Sequence, residues 1–289
     1  MKEERDYEGF WLRRARELVV EWAPSQPSPP KPTKRSSGTR LAAPCSIGYV
    51  ERRLKGPRSR LPSGGRSSKW QLYARVNEFA ALLQGFGGVQ VGDRVTFHLP
   101  MVPELPVSML ACARLGVIHS EVFGGFSGAA CGERIADSQS RILVTMDGYY
   151  RNGELLDHKA KADQAVARAH AEGHEVDMVL VWRRHPGRYS SNTPMVEGRD
   201  FFVDELLNDY RGKVVAPVSM PAEAPLFLMY TSGTTGQPKG CQHSTGGYLA
   251  YVTGTSKYYQ DIHPDEIEEI KAFGQAEYIT GSGEADGTP

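Results

Sequence analysis

No run of about 18 apolar residues occurs in this 289-residue sequence, so nothing in it reads as a membrane span. The first 22 residues, MKEERDYEGFWLRRARELVVEW, are charged throughout. They lack the apolar centre of a secretory leader. Cysteine is scarce: Cys45, Cys112, Cys131 and Cys241, with no CxxC spacing. Buried or incidental thiols in a reducing cytosol are the expectation, and with them a cytoplasmic protein. Net charge is also missing. Lys plus Arg and Asp plus Glu stand at 34 each, so bulk electrostatics name no partner.

What charge there is lies unevenly. Lys31 to Lys69 holds eleven basic residues and one acid, Glu51, which leaves an acidic excess elsewhere. Residues 7–22 set Phe10, Trp11, Ala15, Leu18, Val19 and Trp22 on one helical face, which predicts a docking helix over 1–22. Residues 23–69 begin with APSQPSPPKPTKRSSGTR and stay poor in apolar side chains. Such a stretch cannot bury enough surface to offset its ordering entropy, so it reads as a basic, Pro/Ser-rich disordered or disrupted linker. The acidic end, 261–289, reads as a loose tail.

From Trp70 the pattern changes. WQLYARVNEFAALLQGFGG predicts a helix closed by glycine, and VTFHL a strand. PELPVSMLACARLG is a helix, VIHSEVF a strand, GAACGERIADSQS a short helix and RILVTM a strand. LLDHKAKADQAVARAHAEG is a helix, DMVLVW a strand and FFVDELLNDY a helix. APLFLMY is then a buried strand, and STGGYLAYVTGTSKYY a helix. Alternation of this kind predicts an α/β domain over 70–260, with a mostly parallel sheet and flanking helices.

Between the last strand and the last helix lies YTSGTTGQPKG, Tyr230 to Gly240. A loop leaving such a strand sits at the C-terminal edge of the sheet, where open α/β folds bind ligands. Gly233, Gly236 and Gly240 allow close backbone approach. Thr231, Ser232, Thr234 and Thr235 offer hydroxyls, Lys239 offers a charge, and turn N–H groups can face an anion. This chemistry suits phosphates, although the same composition also makes plain surface turns. It is not a Walker A loop, because Lys239 is followed by Gly240 and the glycines are wrongly spaced.

YTSGTTGQPKG resembles the phosphate-loop signature of the adenylate-forming superfamily. PMVPELPVSMLACARLGVIHSEVFGGFSGAACGERIADSQSRILVT, DGYYRNGELLDHKAKAD and STGGYLAYVTGTSKYYQDIHPDE are similar to the AMP-forming acetyl-CoA synthetases. The resemblance covers about 7–22 and 70–266, the front of an adenylate-forming large domain, incomplete. It implies an acid–thiol ligase that joins acetate, or another short-chain carboxylate, to ATP as an acyl-AMP and then passes the acyl group to CoA. ATP, CoA and Mg2+ are the implied substrates and cofactor. By resemblance Thr231, Ser232, Gly233, Thr234, Thr235 and Gly236 cradle phosphates, with Lys239 and Gly240 completing the loop. Arg151 matches an arginine that contacts the nucleotide end of CoA, and Gly124, Gly125 and Phe126 shape the CoA channel. Where the family pattern there is Arg-x-Gly-Arg or Arg-x-Gly-Lys, this chain has Glu154. Lys159 is a candidate to compensate.

Other candidates read as structural. His170 and His174 stand four apart without a third ligand, so no metal site is assigned. His119, His243 and Cys241 carry no pattern that makes them catalytic. The family's catalytic lysine and its later motifs are not found in these residues, so the catalytic group is unassigned. Three readings follow: the front part of a synthetase, with the two breaks at 23–69 and after Glu266 marking a deletion or frameshift; a non-catalytic ATP/CoA-binding remnant or one piece of a split enzyme completed by a separate C-terminal chain; or a nucleic-acid binder using the basic arm. The arm's single aromatic, Tyr49, gives the third no stacking platforms.

Overall fold

The computed structural model describes residues 42–43, 69–184, 193–231 and 238–259. The expected docking helix, most of the 23–69 segment and the tail lie outside the described residues.

Strands β2 (Arg94–Leu99), β3 (Ile118–Phe123), β4 (Ile142–Met146), β7 (Met178–Trp182), β8 (Asp200–Phe202), β10 (Pro225–Thr231) and β11 (Lys239–Ser244) form one seven-stranded sheet in the order β11-β10-β3-β2-β4-β7-β8. All neighbours are parallel except β10 and β11, which form an antiparallel pair. Helix α1 (Lys69–Gly85) precedes β2, α2 (Glu104–Leu115) joins β2 to β3, α3 (Gly128–Ser138) joins β3 to β4, and α4 (Lys159–Ala171) leads to β7.

The strands of the body are apolar runs because helices cover both faces. On one face Phe97, Leu99, Val144, Met146 and Leu180 pack with Phe79 and Leu83 of α1 and Leu105 and Ala111 of α2. On the other, Leu143, Val179 and Val181 pack with Cys131 and Ile135 of α3 and Ala162, Ala165 and Ala169 of α4. The period-two alternation along β4 and β7 divides each strand between the two cores. Helices α3 and α4 touch through glycine. A Cβ on Gly132 would stand 2.5 Å from the Ala165 carbonyl oxygen, so only glycine permits this approach.

Local signals set the ends of these elements. Gly116 takes φ 67° to close α2, its N–H donating to the Ala113 carbonyl, while Ser127 caps α3 by accepting from the Ala130 N–H at 3.2 Å. Three expectations need correction. Leu155–Asp157 is not the start of a helix but part of β6 (Glu154–Asp157), which pairs with β5 (Gly148–Arg151) around Asn152 and Gly153, both at positive φ. Asn-Gly is the preferred two-residue hairpin turn, and it outweighs helix propensity here. FFVDELLNDY is split. Asp200–Phe202 adds β8 to the sheet edge, and only α5 (Val203–Leu206) and a 3-10 turn (Leu207–Tyr210) follow. Residues 239–244 form β11 ahead of helix α6 (Thr245–Tyr258), so the phosphate-type loop connects two strands, not a strand and a helix. In the 23–69 segment, Ala42–Ala43 (β1) pairs antiparallel with Met220–Pro221 (β9).

Candidate nucleotide and acyl-carrier site

The connection after β2 runs over one face of the sheet and the connection after β3 over the other, because α2 and α3 belong to different cores. Adjacent strands whose connections diverge leave a crevice at their C-terminal ends. The turn Phe123–Ser127 fills that position. The Gly124 N–H donates to the Leu99 carbonyl at 3.1 Å. A Cβ at Gly124 would stand 2.8 Å from the Pro100 nitrogen, so the turn presses backbone to backbone on the end of β2. Tyr149 donates its hydroxyl to the Gly124 carbonyl at 3.3 Å.

Arg151 reaches the same turn. It ends β5 at the Asn-Gly hairpin, and a Cβ on Gly125 would lie 3.2 Å from its Nη1. Gly124, Gly125 and Arg151, far apart in sequence, are therefore brought together. Glu154 stands opposite Arg151 across the hairpin, exposed. Lys159 does not serve this site. It is fully buried, with its Nζ 2.7 Å from Asp163 and 2.8 Å from Asp200. Arg199 closes the network on the same two carboxylates, and these cations hold the Asp200 carboxyl below its ordinary range against the opposing effect of burial. A lysine so placed ties α4 to β8; turning it out toward a ligand would remove one of the two cations that hold the buried Asp200.

Beneath the turn lie His98 and His158, both buried, with ring centroids 4.4 Å apart. The His158 Nε2 meets the His98 carbonyl at 2.8 Å. Burial, then the charges of His158 and Lys161, pushes His98 down to about 3; burial, then Lys161, pushes His158 to about 4 against its bond to the His98 backbone, so both imidazoles are neutral at pH 7. His119, stacked between Phe97 and Phe227 at 5.5 and 5.4 Å, is lowered to about 4 by burial alone. Its expected structural role fits this position. His243 stacks on the outer side of Phe227 at 4.5 Å. His170 and His174 have separate partners, Glu175 and the Ser140 carbonyl. Burial raises the thiols of Cys112 and Cys131, the latter to about 12, which leaves neither nucleophilic.

Of the loop itself, Ser232, Gly233, Thr234, Thr235 and Gly236 lie outside the described residues. Its two roots are described. Thr231 pairs with Lys239 and Tyr230 with Gly240 across β10 and β11. These roots stand at the same C-terminal edge as the Gly124 turn, because β10 runs parallel to β3. Arg134 of α3, which the sequence did not single out, joins the two places. Its guanidinium lies 4.9 Å over the Phe126 ring and 5.5 Å over the Tyr230 ring. Tyr230 in turn donates to Asp137 at 2.5 Å. Burial and that bond hold its phenol protonated, above the usual tyrosine range. A cleft of about 500 Å3 opens beside Tyr230 and Pro238. Its Arg168 is already paired with Glu133 and Glu172, so it offers a phosphate little free charge.

Among the described residues no helix is long and apolar enough to cross a membrane. Residues 63–270 match the family model described as AMP-binding enzyme. The acetyl-coenzyme A synthetase of Bartonella quintana is 46% identical over 197 residues, which cover 68% of this chain and 29% of that protein. That of Rubrobacter xylanophilus is 37% identical over 278 residues, covering 91% of this chain and 41% of that protein. The latter match takes in part of residues 23–69. A third, from Pyrobaculum arsenaticum, is 44% identical over 199 residues, again 68% of this chain and 29% of that protein. The chain thus spans less than half the length of the curated relatives it matches.

Proposed function

The chain belongs to the AMP-binding enzyme family, and from that premise we propose that it carries the phosphate loop and part of the CoA site of an AMP-forming acetate–CoA ligase. The observation that carries this reading is the convergence at one sheet edge. The roots of YTSGTTGQPKG, Thr231 and Lys239, end β10 and begin β11, while Gly124, Gly125 and Arg151 meet at the end of the parallel neighbour β3. In this reading Thr231, Ser232, Gly233, Thr234, Thr235, Gly236 and Gly240 supply backbone and hydroxyl donors to ATP phosphates, and Lys239 adds a positive charge. Arg151 takes an anionic group of CoA beside the Gly124–Gly125 backbone.

Activation of a carboxylate by ATP needs its oxygen held against the α-phosphate, so what such residues contribute is position and charge neutralisation. Mg2+ enters through the resemblance alone. Among the described residues no three His, Cys, Asp or Glu side chains converge on a common point, and no step is assigned to the ion here. The proposed organisation is a docking helix at 1–22, a linker at 23–69, a partial adenylation domain at 70–260 and a tail at 261–289. Acetate or another short-chain carboxylate is the proposed acyl substrate, a separate C-terminal chain a proposed partner, and the cytoplasm the proposed location.

Acetate-dependent ATP–pyrophosphate exchange, together with ATP binding by calorimetry, tests the proposal. The folded chain is expected to bind ATP without exchange, and Lys239→Ala and Gly236→Val to weaken binding about tenfold. Exchange that both variants abolish would mean that the activation half-reaction is complete here. ATP affinity indifferent to both variants would overturn the phosphate-loop assignment.

A further inference from the structure

Several cations of α4 and of the neighbouring strand ends are neutralised by carboxylates. Lys159 is paired with Asp163 and Asp200, Arg168 with Glu133 and Glu172, Arg183 with Asp204 and Glu205, and Arg184 with Glu104. At the Gly124–Gly125 turn two cations approach without a carboxylate. Arg151 lies against Gly125, and the Nζ of Lys161 stands 3.5 Å from the Gly124 carbonyl. Neither forms an ion pair among the described residues, and Glu154, across the hairpin from Arg151, does not close on it. Lys161 is half-buried in the first turn of α4, with its charge reaching the neutral His98 and His158 below.

Two positive groups reaching the same turn repel each other, and an anion bound between them would relieve that repulsion. We propose that Lys161 is the second cation of this turn and, with Arg151, binds a phosphate of the nucleotide end of CoA. This rests on the CoA reading of Arg151. It supplies from α4 the positive charge that the hairpin position occupied by Glu154 does not give. It also replaces Lys159, whose ammonium is committed to the Asp163–Asp200 network.

The test is calorimetric titration of the whole chain with CoA and with pantetheine, which lacks the nucleotide. Lys161→Ala is expected to weaken CoA binding about tenfold, to leave pantetheine and ATP binding unchanged, and to flatten the salt dependence. Lys161→Arg is expected to restore most of the affinity. Circular dichroism of each variant checks that the fold is intact. CoA affinity that falls in Arg151→Ala but is unmoved in Lys161→Ala overturns the role of Lys161 and leaves the CoA reading standing. A folded wild-type chain that binds no CoA overturns that reading and this proposal with it.

Discussion

Leu143 and Met229 belong to strands of one sheet, and both lie in apolar runs, yet Leu143 is fully buried and Met229 is 45% exposed. The difference is one of cover. The body strands β2, β4 and β7 have α1 and α2 on one face and α3 and α4 on the other. At the other end of the sheet, β11 is exposed over nearly its whole length, and α6 presents Tyr248, Tyr251 and Val252 to solvent. The candidate phosphate loop hangs from this thinly covered end, and the turn proposed for CoA is built on the body. The main core and the proposed phosphate loop thus lie in different parts of the sheet. A hairpin held by few buried contacts can open locally without unfolding the body.

Acidification should strike the body hardest. His98, His119 and His158 are lowered from 6.5 to between about 3 and about 4 by burial, so their folded forms refuse protons that the unfolded chain accepts. The unfolded state binds more protons below pH 6.5, and stability therefore falls as pH drops from there through about 4. The slope is roughly 1.4 kcal/mol per pH unit for each imidazole. Urea midpoints between pH 7.5 and 4.5 measure it. His119→Phe, which keeps the stack with Phe97 and Phe227, should remove about a third of the slope; an unchanged slope would break the link between these imidazoles and the core.

Next in size is Lys159→Met. It leaves Arg199 as the one cation on both Asp163 and the fully buried Asp200, at a cost of about 2 kcal/mol. A lower urea midpoint at pH 7.5, with CoA affinity retained in the folded protein, is the expected result. Selective loss of CoA affinity at unchanged stability would return Lys159 to the CoA site.

The smallest effect belongs to the hairpin end. Tyr251→Lys on α6 should shift the urea midpoint by no more than about 0.5 kcal/mol, because the side chain is 63% exposed. Sedimentation should show less self-association in this variant than in the wild type, since an exposed edge strand beside exposed aromatics favours pairing with another copy. A large loss of stability would show that α6 is covered in solution and would erase the contrast between the two ends.

Much of the body was legible because its signals are local. VTFHL, RILVTM and DMVLVW are apolar runs bounded by turns, and the helices between them close on residues such as Gly116. The hairpin at Asn152–Gly153 was missed, because helix propensity in the following alanine-rich stretch masked it, although YYRNGELLD carries the turn signal. β8 was hidden because FFVDELL satisfies a helical period, and only pairing with Val179–Val181 draws Asp200–Phe202 into the sheet. APLFLMY gave no sign that one end of the sheet lacks cover, since burial is a property of neighbours.

By itself the sequence determined the α/β alternation and the presence of the loop YTSGTTGQPKG, since residue type, spacing and turn chemistry are local; Gly124, Gly125 and Arg151 came as candidates from the family resemblance. The tertiary structure alone decided that Arg151 meets Gly125, that Arg134 spans Phe126 and Tyr230, and that Lys159 is spent inside while Lys161 faces the turn. Two lysines only two residues apart look alike in sequence. On a helix they point to different sides, and what stands on each side fixes whether the charge is neutralised within the fold or left for a ligand.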